Sequence, residues 1–285
     1  MDEWRWSGDN PIERAAIGVE FAAPFTPAVI AEAGGRHRSF KDQLPRRMNQ
    51  QAMVLQVGQP GSPVPMPMPL MQTSQPVGFV FDRTGPDGRQ AEAFNMSGNS
   101  AAYSCALYSR WNEVWPKADR IFGEMVPIIT ISGNLAVAVT LEYVNQFVWS
   151  GKPDTADISS LLVAGPFVCP NVFRLSGLWH LFHGFFRDGE EPLPGSHLEN
   201  INLTVSDRPD PVEGTEEPRR CLDIVVNHRL AFEAPTSFIY VGQDDHRPTL
   251  LGEYATSMHE RNKAILRELL IASTINGILG LGVSL

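Results

Sequence analysis

The feature that most limits what this chain can fold into is "VGFVFDRTGPDGRQAEAFNMS", residues 77–97, in which two runs alternating apolar and polar side chains are joined by Gly-Pro-Asp-Gly. Period-two alternation marks a half-buried strand, and in such a turn proline presets one dihedral while glycine permits a positive φ. The segment predicts a β-hairpin that lays one face on a core. Similar alternation appears in "RAAIGVEFAAPF", through Ile17, Val19 and Phe21, and strand character returns in "QAMVLQVG" and "LAVAVTLEYVNQFVW". Three more strand-like runs follow: "LWHLFHGFF", "HLENINLTVS" and "CLDIVVNHRLAF".

Helical signals are fewer. Thr26 and Pro27 form a cap and a first turn ahead of a short helix near 27–33, stopped by Gly34 and Gly35. From Ser100 to Phe122, Tyr103, Leu107, Trp111, Val114 and Trp115 recur at spacings of three and four, which predicts one long amphipathic helix bent or divided at Pro116. A connector opening with "SGKPD" should hold a short helix near Ile158 to Val163. A second long helix is predicted in "GEYATSMHERNKAILRELLIAS", with Tyr254, Met258, Ile265, Leu269 and Leu270 facing a sheet. The resulting fold class is α+β, with antiparallel sheets packed against long amphipathic helices in two lobes of similar plan. The lobes divide as 1–150, with a Pro/Met-rich connection at 58–76, and 151–285, ending in the long helix and an apolar tail.

With 43% hydrophobic and 19% charged residues in 285, the composition is that of a globular chain. A formal net charge of -9 disfavours a protein whose main task is coating nucleic acid. One basic run opposes that average: Arg36, His37, Arg38, Lys41, Arg46 and Arg47, of which Arg46 and Arg47 are the candidate contacts for an anion. Cys105, Cys169 and Cys221 are widely spaced and odd in number, which suggests neither a disulfide framework nor a zinc ribbon. The acidic start "MDEWRW" and the absence of any eighteen-residue apolar run predict a cytoplasmic protein with no membrane span.

Catalytic motifs are sparse. No GxSxG elbow is present, and "GILGLGVSL" cannot form a strand-loop-helix phosphate cradle without a helix after it. His180 and His183 would share a helix face and could grip one metal ion, but nine aromatic-rich residues between turn signals favour a strand, on which they point apart. His197, His228, His246 and His259 could join a site only by folding, since none has a ligand spacing such as HExxH. No metal and no cofactor are therefore expected. "GQDDHRP" places Asp245 and His246 in one loop before the last helix, where they would act as base and orienter or cap the helix as a polar turn.

Four segments, "PIERAAIGVEF", "YSRWNEVWPKADRIF", "VTLEYVNQFVW" and "MHERNKAILRELL", together resemble a sporadically distributed bacterial protein family of unknown function. The resemblance follows most of the chain in order and implies no reaction, cofactor or catalytic residue. Patchy families of this kind suggest a defence or toxin-antitoxin-like setting. The expected function is non-catalytic binding of a protein partner or a second copy, through the Trp4 and Trp6 arm, the Pro/Met segment and the apolar tail. The alternative is a small-molecule-binding protein or hydrolase, with a pocket between sheet and last helix lined by Trp179, His180 and Asp245.

Overall fold

A computed structural model describes residues 2–5, 11–53, 74–188, 195–209, 217–237 and 250–277. In chain order the elements are β1 (Trp4–Arg5), β2 (Ile12–Phe21), α1 (Pro27–Gly35), β3 (Arg46–Met53), β4 (Ser74–Thr84), β5 (Gln90–Ser97), β6 (Ser100–Cys105), α2 (Trp111–Ile131) and β7 (Ala136–Trp149). Three short 3-10 turns lead to β8 (Trp179–Asp188), β9 (Ser196–Pro209), β10 (Pro218–Thr236), α3 (Leu250–Leu269) and α4 (Ala272–Gly277). Trp6, Asp245, His246, most of the Pro/Met segment and the end of the apolar tail lie outside the described residues.

All the strands among the described residues belong to one antiparallel sheet of ten strands, ordered β3-β4-β5-β6-β2-β7-β10-β9-β8, with β1 added on β7. This corrects the expected separate sheets packed on long helices in two lobes. The reason is β2 and β7, which pair from Ile12 opposite Asn145 to Phe21 opposite Ala136 and fuse everything to either side of them. Alternation reveals that each strand is half-buried, but it carries no information about which distant strand is its neighbour. Within the single sheet, the order β4-β5-β6-β2 on one side is answered by β8-β9-β10-β7 on the other.

One face of the sheet carries the core. Cross-strand partners share a face, so Phe81, Phe94, Tyr103, Ile17, Leu141, His228 and Glu199 form a row that crosses from β4 to β9. The helices dock on that face. The buried stripe of α3 is Leu251, Tyr254, Ala255, Met258, His259, Asn262, Ile265, Leu266 and Leu269, the three-and-four spacing of an amphipathic helix with two polar residues at its middle. Its first half joins an apolar cluster with α2 and β2, and its second half joins another with β8, β9 and β10.

Local signals fared unevenly. The Gly-Pro-Asp-Gly turn closes the β4–β5 hairpin, with Gly85 N–H donating to Arg89 O at 2.8 Å and Gly88 at φ 79°. Thr26 caps α1 by accepting from Val29 N–H at 3.3 Å. The helix expected over 100–122 does not form as one element: 100–105 is β6, whose Ala101, Tyr103 and Cys105 alternate into the core, and α2 starts only at Trp111. Tyr103 and Leu107 fell at helical spacing from Trp111 by coincidence of position. Nor does Pro116 divide the helix, since α2 continues through both Pro116 and Pro127.

Candidate functional site

Where the two apolar clusters meet beneath α3, the sheet turns polar. On β10, His228 lies between Val226 of one cluster and Leu230 of the other, and on β9 Glu199 and His197 continue the row that Ile201 begins. These three side chains are buried, at 0%, 0% and 2% exposure for His228, Glu199 and His197. The register explains the grouping: His197 and Glu199 are two apart on β9 and so share a face, and Glu199 is directly opposite His228.

The contacts form a chain. Nε2 of His197 is 3.1 Å from Nδ1 of His228, and Nδ1 of His197 is 4.0 Å from Oε1 of Glu199. Either imidazole can donate across the 3.1 Å pair, whereas 4.0 Å to the carboxylate is beyond hydrogen-bond distance. Burial, with His197 beside it, pushes the His228 pKa down to about 3, so its imidazole is neutral at ordinary pH. Nε2 of His228 is buried and has no hydrogen-bond partner among the described residues.

Glu199 is held as a carboxylate. Burial would raise its pKa, but Arg261 of α3 donates Nε–H to Oε1 at 2.6 Å and Nη2–H to Oε2 at 3.1 Å, while Arg187 of β8 donates to Oε2 at 3.0 Å. The net direction is downward. This fork clamps α3 to β9. Two residues earlier on α3, Nδ1 of His259 meets the Tyr143 hydroxyl of β7 at 2.8 Å, and its ring stacks on Trp111 of α2 at 4.6 Å between centroids. Burial, aided by Lys263, lowers the His259 pKa to about 4.

A buried carboxylate recurs on the other side of the sheet. Glu92 of β5 accepts from Arg83 of β4 at 2.5 Å, from Lys117 of α2 at 2.8 Å and from the Tyr103 hydroxyl of β6 at 2.9 Å. Burial raises its pKa and these donors more than offset it. Each side of the sheet thus anchors its long helix through a glutamate on the middle strand of a meander.

The residues singled out in the sequence are scattered. Trp4, expected on an exposed arm, is buried: its indole N–H donates to Asp157 O at 2.8 Å and its ring meets Trp149 edge-on at 5.5 Å. Arg46 pairs with Asp82 through two bonds of 2.9 and 2.7 Å, and Arg47 donates to Gly34 O at 2.6 Å. The region 179–188 is a strand, so Trp179 packs on the core side while His180 faces the exterior. Trp179 and His180 therefore cannot line one pocket. The cleft beside Trp4, Trp179 and Arg220 holds about 10 Å³, room for a single water at most.

His183 likewise points away from His180, and the histidines that meet are the distant pair His197 and His228. A signal for this was present in the sequence: in "HLENINLTVS" and "CLDIVVNHRLAF", His197, Glu199 and His228 fall in phase with the apolar residues of their strands.

The exterior of β8 has a different character. Phe182 and Phe186 are 59% and 73% exposed, and Leu178 just before the strand is 61% exposed. Among the described residues β8 pairs on one side only, with β9. No helix among the described residues is long and apolar enough to cross a membrane. The chain matches no known family model and no curated protein.

Proposed function

We propose that this is a non-catalytic binding protein that takes a second protein chain onto the outer edge of β8. The observation that carries this reading is the pair of exposed phenylalanines, Phe182 and Phe186, on an edge strand. An open edge offers unpaired N–H and C=O groups for strand addition, and alternate side chains then supply specificity. Apolar exposure is costly on an edge unless a partner covers it, and neither lysine nor proline interrupts 179–188 to blunt it.

A second copy is the partner that best fits. In an antiparallel pairing centred on Gly184, Phe182 of one chain lies opposite Phe186 of the other, and Gly184 opposite Gly184. The outward row is therefore self-complementary, as a two-fold interface requires. A cytoplasmic setting and a role in bacterial defence accompany this proposal on the strength of composition and family resemblance.

Light scattering over a concentration series tests it. The expected result is a dimer that dissociates in the Phe182→Asp, Phe186→Asp double variant while the circular dichroism is unchanged. A wild-type protein that stays monomeric at high concentration and captures no partner through this edge would overturn it.

A further inference from the structure

We infer that His197, Glu199 and His228 form a binding site for a divalent transition-metal ion of the zinc class. One ligand atom from each lies within 4.8 Å of the others, and this is the one group of three such side chains found among the described residues. Two imidazoles and one carboxylate are a ligand set that zinc and iron(II) take with a position left open. Nε2 of His228 is buried and has no hydrogen-bond partner among the described residues, so this imidazole has a ring nitrogen that a ligand would satisfy.

The backbone is suited to the task. Adjacent antiparallel strands fix the three Cα positions, so little ordering is left for the metal to impose. Ligand atoms around a tetrahedral zinc stand about 3.3 Å apart, given metal–ligand distances of about 2.0–2.1 Å. Closing the trio from within 4.8 Å to that spacing needs ligand-atom shifts of up to about 1.5 Å. Each ligating nitrogen must present a lone pair, so a ring proton on it moves to the other ring nitrogen or leaves to water as H+, with no change of oxidation state.

The competitors are on the page as well. Arg261 occupies one lone pair of Oε1 of Glu199, while Arg261 and Arg187 together occupy both of Oε2, so Oε1 is the oxygen that retains a second. Their charges nevertheless oppose a cation. Both guanidinium side chains are partly exposed, at 21% and 32%, so either can turn towards water when the ion arrives. This makes the arginines a brake on the site, and it predicts an effect that a purely structural network would not show.

The test uses the full chain, stripped with a chelator, then titrated with zinc by calorimetry and with cobalt(II) by visible absorption. The expected result is one ion per chain, at least tenfold weaker binding in His228→Gln and in His197→Gln, and several-fold tighter binding in Arg187→Gln. The inference is overturned if the wild type takes up neither ion. It is overturned equally if uptake survives unchanged in both histidine variants. Should those variants fail to fold, Arg187→Gln decides alone: affinity equal to or below that of the wild type counts against the site.

Discussion

His197 and His228 are separated by 31 positions, yet their ring nitrogens lie 3.1 Å apart inside the sheet. Beside them Glu199, between two arginines, ties the last long helix to the strands. The first prediction concerns that tie. Glu199→Ala leaves Arg261 and Arg187 without their buried partner, and removal of one member of a buried pair costs about 3–5 kcal/mol. Because both arginines reach solvent, a loss of about 2–3 kcal/mol is expected here. Urea unfolding measures it, and hydrogen exchange should show the loss of protection concentrated in α3.

The second prediction is a pH dependence. His259 is packed among Tyr143 and Trp111, with Lys263 and Glu260 nearby, and its pKa falls from 6.5 to about 4 on folding. Between those values the unfolded chain binds the extra proton and the folded one does not, so this contribution is full above pH 6.5 and is lost as pH falls towards 4. The total is on the order of 3 kcal/mol. Thermal melts from pH 7 to pH 4 should fall steeply in the wild type and less steeply in His259→Phe. Equal slopes would remove His259 as the cause.

The third prediction concerns the entry to β9. Gly195 sits at φ 98°, a conformation that side chains disfavour, and an added Cβ would meet the carbonyl oxygen of Ala231 on β10. Gly195→Ala should cost roughly 1–3 kcal/mol. Chemical denaturation measures the loss. A neutral result would show that the β9–β10 end relaxes freely.

The fourth prediction separates the two anchors of the sheet. Lys117→Met removes one of the donors to Glu92 but leaves Arg83 and Tyr103, so the carboxylate keeps its charge. A loss of about 1 kcal/mol is expected, smaller than for Glu199→Ala. If the two variants cost the same, the redundancy around Glu92 has no energetic meaning.

Local periodicity revealed most strands and α3, because alternation and three-and-four spacing are properties of adjacent residues. It failed at 100–110, where six residues of strand and a short link precede the helix and happen to continue its spacing backwards. It also could not show that β2 pairs with β7, since pairing partners far apart leave no trace in either segment alone. The polar cluster was half legible. His197, Glu199 and His228 were in phase with their strands, yet their meeting depends on the β9–β10 register. Arg187 and Arg261 joined them from two further elements, a convergence that spacing along the chain does not encode.

The β2–β7 seam has a consequence for how the molecule is made. β2 leaves the ribosome before β7 and must wait for more than a hundred residues to be synthesised before its neighbour at 136–149 exists. In the interval its other neighbour, β6, arrives first, so a partial sheet with one raw edge is the natural intermediate. Closing so long a loop slows folding and leaves that edge open to foreign strands. Exposure to mispairing during synthesis is the hazard such a long-range seam carries.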